Sequence, residues 1–282
     1  MLNNQNYFIK MCNNHPTKHN SLIHNHLYAI IVFSTLLITL SCNKSKYLIQ
    51  DPILIAHAGG EIDGHTYTNS LEAVLLSIKN GYKFIELDLA LTADSVLVAV
   101  HDWKEFNEIT GFPLKKDTIP SYVDFTKRMI YEKYTPLSAE MINGIFLNDT
   151  TLYLVTDKIS NPQIIGQNFP HLKQRIVVEA FSYDDYTTLR DEKYFRVLYS
   201  RLASDFYVNI KKHLLFHYVN QGYKIEWIAA PPETFDHGIF RLAAMITDFK
   251  LAIYTINNLI DIPKKLFDEV QMVYTDKIKP YQ

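Results

Sequence analysis

Four short apolar runs of this sequence carry polar groups that an apolar run does not need. Residues 53–57 (ILIAH) end in His57, and residues 84–89 (FIELDL) contain Glu86 and Asp88. Residues 97–101 (LVAVH) end in His101, with Asp102 next, and residues 152–157 (LYLVTD) end in Asp157, followed by Lys158. In a strand, residues two apart share a face, so Glu86 and Asp88 point one way while Ile85, Leu87 and Leu89 point the other. Two carboxylates side by side in an apolar strand repel each other and lose hydration unless a cation lies between them. One hard divalent ion, Mg²⁺ or Ca²⁺, answers that need; ordinary salt bridges to lysine or arginine are the alternative. His57 and His101 flank the pair in sequence. Two imidazoles with a metal between them supply a general acid, a general base and a Lewis acid. That set suits cleavage of a phosphate diester, where one oxygen must lose a proton, another must gain one, and negative charge must be held. His65, His171, His213, His217 and His237 lack such company and are assigned no role.

These groups need a scaffold that gathers strand ends. From residue 51 onward, nine strand-like runs alternate with amphipathic stretches: 53–57, 84–89, 97–101, 152–157, 175–180, 196–200, 224–229, 251–256 and 272–276. Helical patterns cover 70–80, 183–191, 205–220, 234–248 and 259–269. Such repetition predicts a mostly parallel sheet. Residues 90–96 (ALTADSV) are too few for a crossover helix, so 97–101 is expected to pair antiparallel beside the second strand. Eight strands remain, and an α/β fold of the (β/α)₈ barrel type is expected, with its chemistry where strands end and loops begin. An open doubly wound sheet competes, but no glycine-rich dinucleotide loop follows the first strand. Residues 103–150 hold Pro113, Pro120 and Pro136 and no clear strand, and are read as a small inserted subdomain on the catalytic rim.

With 48% hydrophobic and 13% aromatic residues, the chain is too apolar for disorder, and a net charge of −2 gives no electrostatic case for nucleic acid. Residues 1–41 hold Lys10 and Lys18 and no acidic residue, so the remainder carries 26 basic and 30 acidic residues, a net of −4. Residues 27–41 (LYAIIVFSTLLITLS) are apolar but short for a membrane span, which needs about twenty residues. They fit the hydrophobic region of an export signal. Cys42 follows at once, and the segment resembles a bacterial lipoprotein signal, with Thr39 where such signals usually have leucine. The expectation is a signal over 1–41, a linker over 42–50 and a barrel over 51–282, anchored through lipidated Cys42 in the cell envelope, at its periplasmic or outer-membrane face. An uncleaved signal anchor or a cut elsewhere are the alternatives, and initiation at Met11 would shorten the leader. Removal of Cys12 with the signal and acylation of Cys42 leave no thiol for catalysis or zinc.

The order of the chemical groups narrows the reading. The segment 55–103, with IAHAGG, YTNSLEAV, FIELDLAL and VLVAVHDW in sequence, resembles the glycerophosphodiester phosphodiesterase family. Weaker likeness continues through residues 254–257 (YTIN) and 274–276 (YTD). The resemblance implies a TIM-type barrel, a divalent metal and a small-molecule or lipid-derived phosphodiester substrate. By position it implies that His57 and His101 are the acid/base pair, that Glu86 and Asp88 are metal ligands, and that Asn69 contacts substrate, although Asn69 and Ser70 are also good helix caps. Asp102 either orients His101 or ends its strand. Three departures stand out. The family's arginine after the first histidine is Ala58 here, its glutamate before the Asn-Thr-Leu motif is Thr68, and its Glu-x-Lys appears as Thr156-Asp157-Lys158. Asp157 is expected as third metal ligand and Lys158 as a phosphate contact, which requires the strand to end there. The expected function is metal-dependent phosphodiester hydrolysis. A barrel that has lost turnover and serves as an envelope binding lipoprotein, or a phospholipase-C-like lyase releasing a cyclic phosphate, are the rivals.

Overall fold

A computed structural model describes residues 52–111, 118–200, 225–236, 250–262 and 270–280. The signal and linker expected over 1–50, Cys42 included, lie outside the described residues. So do the helix expected over 205–220 and most of those expected over 234–248 and 259–269.

All nine expected strands are present: β1 (Ile53–Ala56), β2 (Phe84–Leu91), β3 (Leu97–Ala99), β4 (Tyr153–Asp157), β5 (Ile176–Ala180), β6 (Arg196–Tyr199), β7 (Trp227–Ala230), β8 (Lys250–Ile253) and β9 (Val270–Thr275). Eight of them pair in parallel in the order β1-β2-β4-β5-β6-β7-β8-β9, and β9 returns to β1, so the sheet closes into a (β/α)₈ barrel. The ninth, β3, lies antiparallel on β2, with Leu89 opposite Ala99 and Leu91 opposite Leu97. Six helices are described: α1 (Leu71–Lys79), α2 (Trp103–Ile109), α3 (Tyr122–Thr126), α4 (Ala139–Asn148), α5 (Pro162–Asn168) and α6 (Tyr183–Asp191).

Side-chain parity explains how the barrel both packs and carries a site. The outward residues Ile85, Leu87 and Leu89 of β2 join Leu154, Ile176 and Val178 in the layer beneath the helices. The inward residues Val155, Val177, Leu198, Ala229, Ala252 and Met272 fill the barrel. Glu86, Asp88, Asp157 and Glu179 have this inward parity but lie further along their strands, so the apolar plug gives way to carboxylates at the C-terminal end. Truncating Leu87, which is fully buried, to alanine removes contacts worth about 2–5 kcal/mol.

The expected insertion is narrower than 103–150. Ser138 caps α4 through Met141 N–H, and α4 sends Ile142 and Phe146 into the main helix–strand core. α4 is therefore the barrel's own helix leading into β4. The inserted part holds α2 and α3, whose Phe106 and Phe125 pack with Ile130 and Tyr134 against Ala73 of α1 and Val98 of β3. No described helix is long and apolar enough to cross a membrane.

Candidate active site

One cavity, of about 410 Å³, opens at the C-terminal end of the barrel and is lined by His57, Tyr67, Glu86, Asp88, His101, Asp157, Lys158, Glu179, Phe181, Ser200, Tyr254, Thr255 and Tyr274. Six of the seven residues that the sequence singled out are in its wall.

Glu86, Asp88 and Asp157 converge there. One ligand oxygen from each lies within 4.8 Å of the other two. Register accounts for it: Asp88 stands opposite Asp157 on neighbouring strands, and Glu86 sits two residues below Asp88 on the same face. Glu86 is 1% exposed; its Oε2 accepts the Ala58 N–H at 2.6 Å, while Oε1 is buried without a hydrogen-bond partner. Burial, and then the charges of Asp88 and Asp157, raise the Glu86 carboxyl well above the usual glutamate range. Asp157 is raised as well, by burial and then by Asp88. Salt bridging does not relieve this crowd. Lys158 Nζ lies 3.9 Å from Asp88 Oδ1 and 3.8 Å from Asp157 Oδ2, but it is a single cation, 42% exposed, facing three carboxylates. An oxygen-only donor set with one orphaned buried oxygen fits a hard divalent cation.

Asp157 is the last residue of β4, and Lys158 turns into the left-handed region at φ +68, which lets both neighbours reach the cavity. The strand-end condition raised by the sequence is thus met. Asn69 is placed differently from the substrate contact expected. It is buried, outside the cavity wall, and clamps Asp88: its side-chain amide donates to Asp88 Oδ2 at 2.9 Å, and its carbonyl accepts the Asp88 N–H at 3.0 Å. Its φ of +49 is one that asparagine tolerates better than most residues. The cap of α1 is Ser70, which accepts from Ala73 N–H. Thr68 is buried and hydrogen-bonds Ser70 Oγ at 3.0 Å, so it adds no group to the cavity.

Each histidine has its Nδ1 on a carboxylate. His57 Nδ1 is 3.0 Å from Asp276 Oδ1, and Asn257 donates to the other oxygen of Asp276 at 2.9 Å. Burial opposes the ionised form of Asp276, but the His57 and Asn257 hydrogen bonds outweigh it and hold the carboxyl below its usual range. His101 Nδ1 is 3.2 Å from Glu105 Oε2. Asp102 does not orient His101; it caps α2 by accepting the Glu105 N–H at 3.0 Å, so it positions the residue that does. The Val100 N–H bonds Asp88 O at 2.8 Å, which brings the end of β3, and with it His101, to the level of the carboxylates. Gly60 closes the turn after His57 at φ +93, where an added Cβ would run into the Ser77 hydroxyl.

Three groups were given no role from the sequence: Glu179 and Tyr67 in the cavity wall, and Asp276, which holds His57. Glu179 is buried beside the triad and accepts hydrogen bonds from the Ser200 and Tyr274 hydroxyls. Burial, and then the Asp157 charge, push its carboxyl up to about 8. Its signal was present, as the one acid in the apolar run 175–180. Asp276 likewise stands just past a strand end. Tyr67 lies in an irregular loop at φ +58, and no local pattern marks it.

Comparison with known proteins finds a family likeness over part of the chain and a fold likeness over most of it. Residues 58–174 match the Glycerophosphoryl diester phosphodiesterase family, a span holding Glu86, Asp88, His101, Asp157 and Lys158. This part of the chain is similar to that phosphodiesterase family. The whole barrel is similar to crystal structures of family proteins at low identity. One from Thermotoga maritima is 16% identical at a TM-score of 0.57, covering 81% of this chain and 96% of that one. A second, from Parabacteroides distasonis, is 17% identical at 0.57, covering 82% and 85%. A third, from Agrobacterium tumefaciens, is 13% identical at 0.55, covering 80% and 97%. No curated protein matches the sequence. Phosphodiester hydrolysis is the chemistry of this glycerophosphodiester phosphodiesterase family, and it accords with a cavity that pairs two oriented imidazoles with a carboxylate triad.

Proposed function

We propose that the chain hydrolyses a glycerophosphodiester-like, lipid-headgroup or envelope-polymer diester, with Glu86, Asp88 and Asp157 holding one Mg²⁺ or Ca²⁺. The observation that carries this reading is the convergence of the three carboxylates with two carboxylate-tethered histidines in one cavity. A bound divalent cation supplies neutralisation of the phosphate charge. His57, its Nδ1 hydrogen donated to Asp276, has Nε2 left to take the proton of the attacking water or of a substrate hydroxyl. His101, held by Glu105, donates the proton that the departing alkoxide needs. Lys158 contacts the phosphate anion, in the absence of the family's arginine at Ala58. Asn69 acts through Asp88, fixing the carboxylate's orientation. Attack by a substrate hydroxyl would give a cyclic phosphate, and attack by water a monoester. The substitution at Ala58 favours a second reading, a barrel that binds a diester without turning it over. The chain is further proposed to be exported and anchored by acylated Cys42, supported by the uncharged run before that cysteine.

The test is hydrolysis of a diester panel by the full chain with Mg²⁺, Ca²⁺ or EDTA. Turnover that needs a cation and is lost in His57→Ala supports the reading. No turnover under any metal condition defeats it, and turnover unchanged in His57→Ala defeats the mechanism.

A further inference from the structure

Tyr67 stands edge-on to both histidines. Its ring centroid is 4.6 Å from that of His57 at an interplanar angle of 78°, and 4.8 Å from that of His101 at 60°. It reaches this place from a left-handed backbone conformation that costs a tyrosine energy, the sort of local strain that persists where the surroundings enforce it. Its hydroxyl is hydrogen-bonded to Thr255, whose Oγ1 lies 3.4 Å from His57 Nδ1. Burial, followed by the charges of Asp276, Asp88 and Glu86, raises the phenol above its usual range, so it stays neutral at any pH where the histidines work.

A carboxylate at Nδ1 fixes one point of each imidazole and leaves the ring free to swing about that contact. His57 has a second restraint in Tyr274, 6.3 Å away at 86°. His101 and Glu105 are both partly exposed, at 32% and 45%, so their link alone leaves the ring the most freedom. The phenol ring touches both imidazoles at once, and aromatic edge contacts of this kind set ring planes.

We propose that Tyr67 is a positioning residue shared by the two histidines, its ring fixing the planes and mutual spacing of both imidazoles for proton transfer. The inference rests on the acid/base reading of His57 and His101. The ring, not the hydroxyl, carries the role; Thr255 only anchors it. Misplacing a proton donor and acceptor by about an ångström lowers the rate by up to about 100-fold without changing how substrate is held.

The experiment compares the full-length wild type with Tyr67→Phe and Tyr67→Leu, measuring kcat and KM for a diester across the pH range, with thermal unfolding as a folding control. Tyr67→Phe keeps kcat within about threefold. Tyr67→Leu loses about 10- to 100-fold in kcat at little change in KM, with displaced limbs in its pH–rate profile. Tyr67→Leu with wild-type kcat and an unchanged profile overturns the proposal, as does a Tyr67→Phe loss equal to that of Tyr67→Leu. A rise in KM alone also overturns it, because it assigns the ring to substrate binding. A wild type without turnover defeats the functional reading itself, and so is distinguishable from failure at Tyr67.

Discussion

Glu179→Gln is predicted to stabilise the metal-free protein, with a gain that depends on pH. The Glu179 carboxyl titrates at about 8 in the folded chain against an ordinary value of 4.5, because it is buried beside Asp157. Below 4.5 both folded and unfolded chains are protonated there, and nothing is lost. As pH rises from 4.5 to about 8, the unfolded chain releases the proton while the folded chain keeps it, so stability falls across this window. At pH 7 the accumulated cost is about 3 kcal/mol, at about 1.36 kcal/mol per pH unit above 4.5. Glutamine has the same shape and no such cost. The folded wild type carries a neutral carboxyl in this window, which like the amide has one carbonyl acceptor and one donating group, so the Ser200 and Tyr274 hydroxyls adjust alike in both. The net gain is therefore about 3 kcal/mol at pH 7 and falls to nearly nothing as pH approaches 4.5. Urea denaturation in EDTA at about pH 4.5, 6 and 7.5 reads it directly. Added Mg²⁺ or Ca²⁺ shrinks the gain, since a cation offsets the Asp157 and Asp88 charges that raise Glu179. A gain that is the same at all three pH values, or absent at the highest, refutes the reasoning.

Further predictions follow from the same geometry. His57→Ala and His101→Ala each lower kcat/KM by about 10²- to 10⁴-fold with unchanged circular dichroism, and Asp276→Asn lowers it less than His57→Ala, because it alters an orienting bond. Asn69→Ala weakens Mg²⁺ or Ca²⁺ binding by about 10- to 100-fold in calorimetric titration, as Asp88 loses both restraints. Because the Glu86 carboxyl is raised, cation binding near neutral pH releases protons. The apparent enthalpy then differs between buffers of different ionisation heat; identical enthalpies would contradict the reading. Cys42→Ser moves the chain from the membrane to the soluble fraction of cells that export it.

Much of this was legible in the sequence because strands write their parity plainly. The alternation in residues 84–89 puts both acids of the run on one face, and the barrel gives that face to the cavity. The short link over 90–96 is enough to mark β3 as the antiparallel extra strand. Asp157 and Lys158 were ambiguous only because strand ends are hard to fix to one residue, and the left-handed turn at Lys158 resolves them. What stayed hidden depends on tertiary contact. Asp276 is 219 residues from His57, and nothing local pairs them. Tyr67 acquires its place from loop geometry without periodicity. Asn69 carries a family motif, yet its hydrogen bonds to Asp88 emerge only when α1 is docked beside β2. The breadth assigned to the insertion came from three prolines, which punctuate residues 103–150 but do not stop α4 from packing as a barrel helix.

The central claim is that the Glu86, Asp88 and Asp157 carboxylates hold one divalent cation that phosphodiester hydrolysis requires. Titrating Mg²⁺ and Ca²⁺ into the metal-free full chain while following diester turnover tests it most directly. Turnover should be absent in EDTA, rise to saturation with the cation, and need far higher cation concentration in Asp157→Asn. Turnover in the absence of any divalent cation, or an unaltered titration curve in Asp157→Asn, would contradict it.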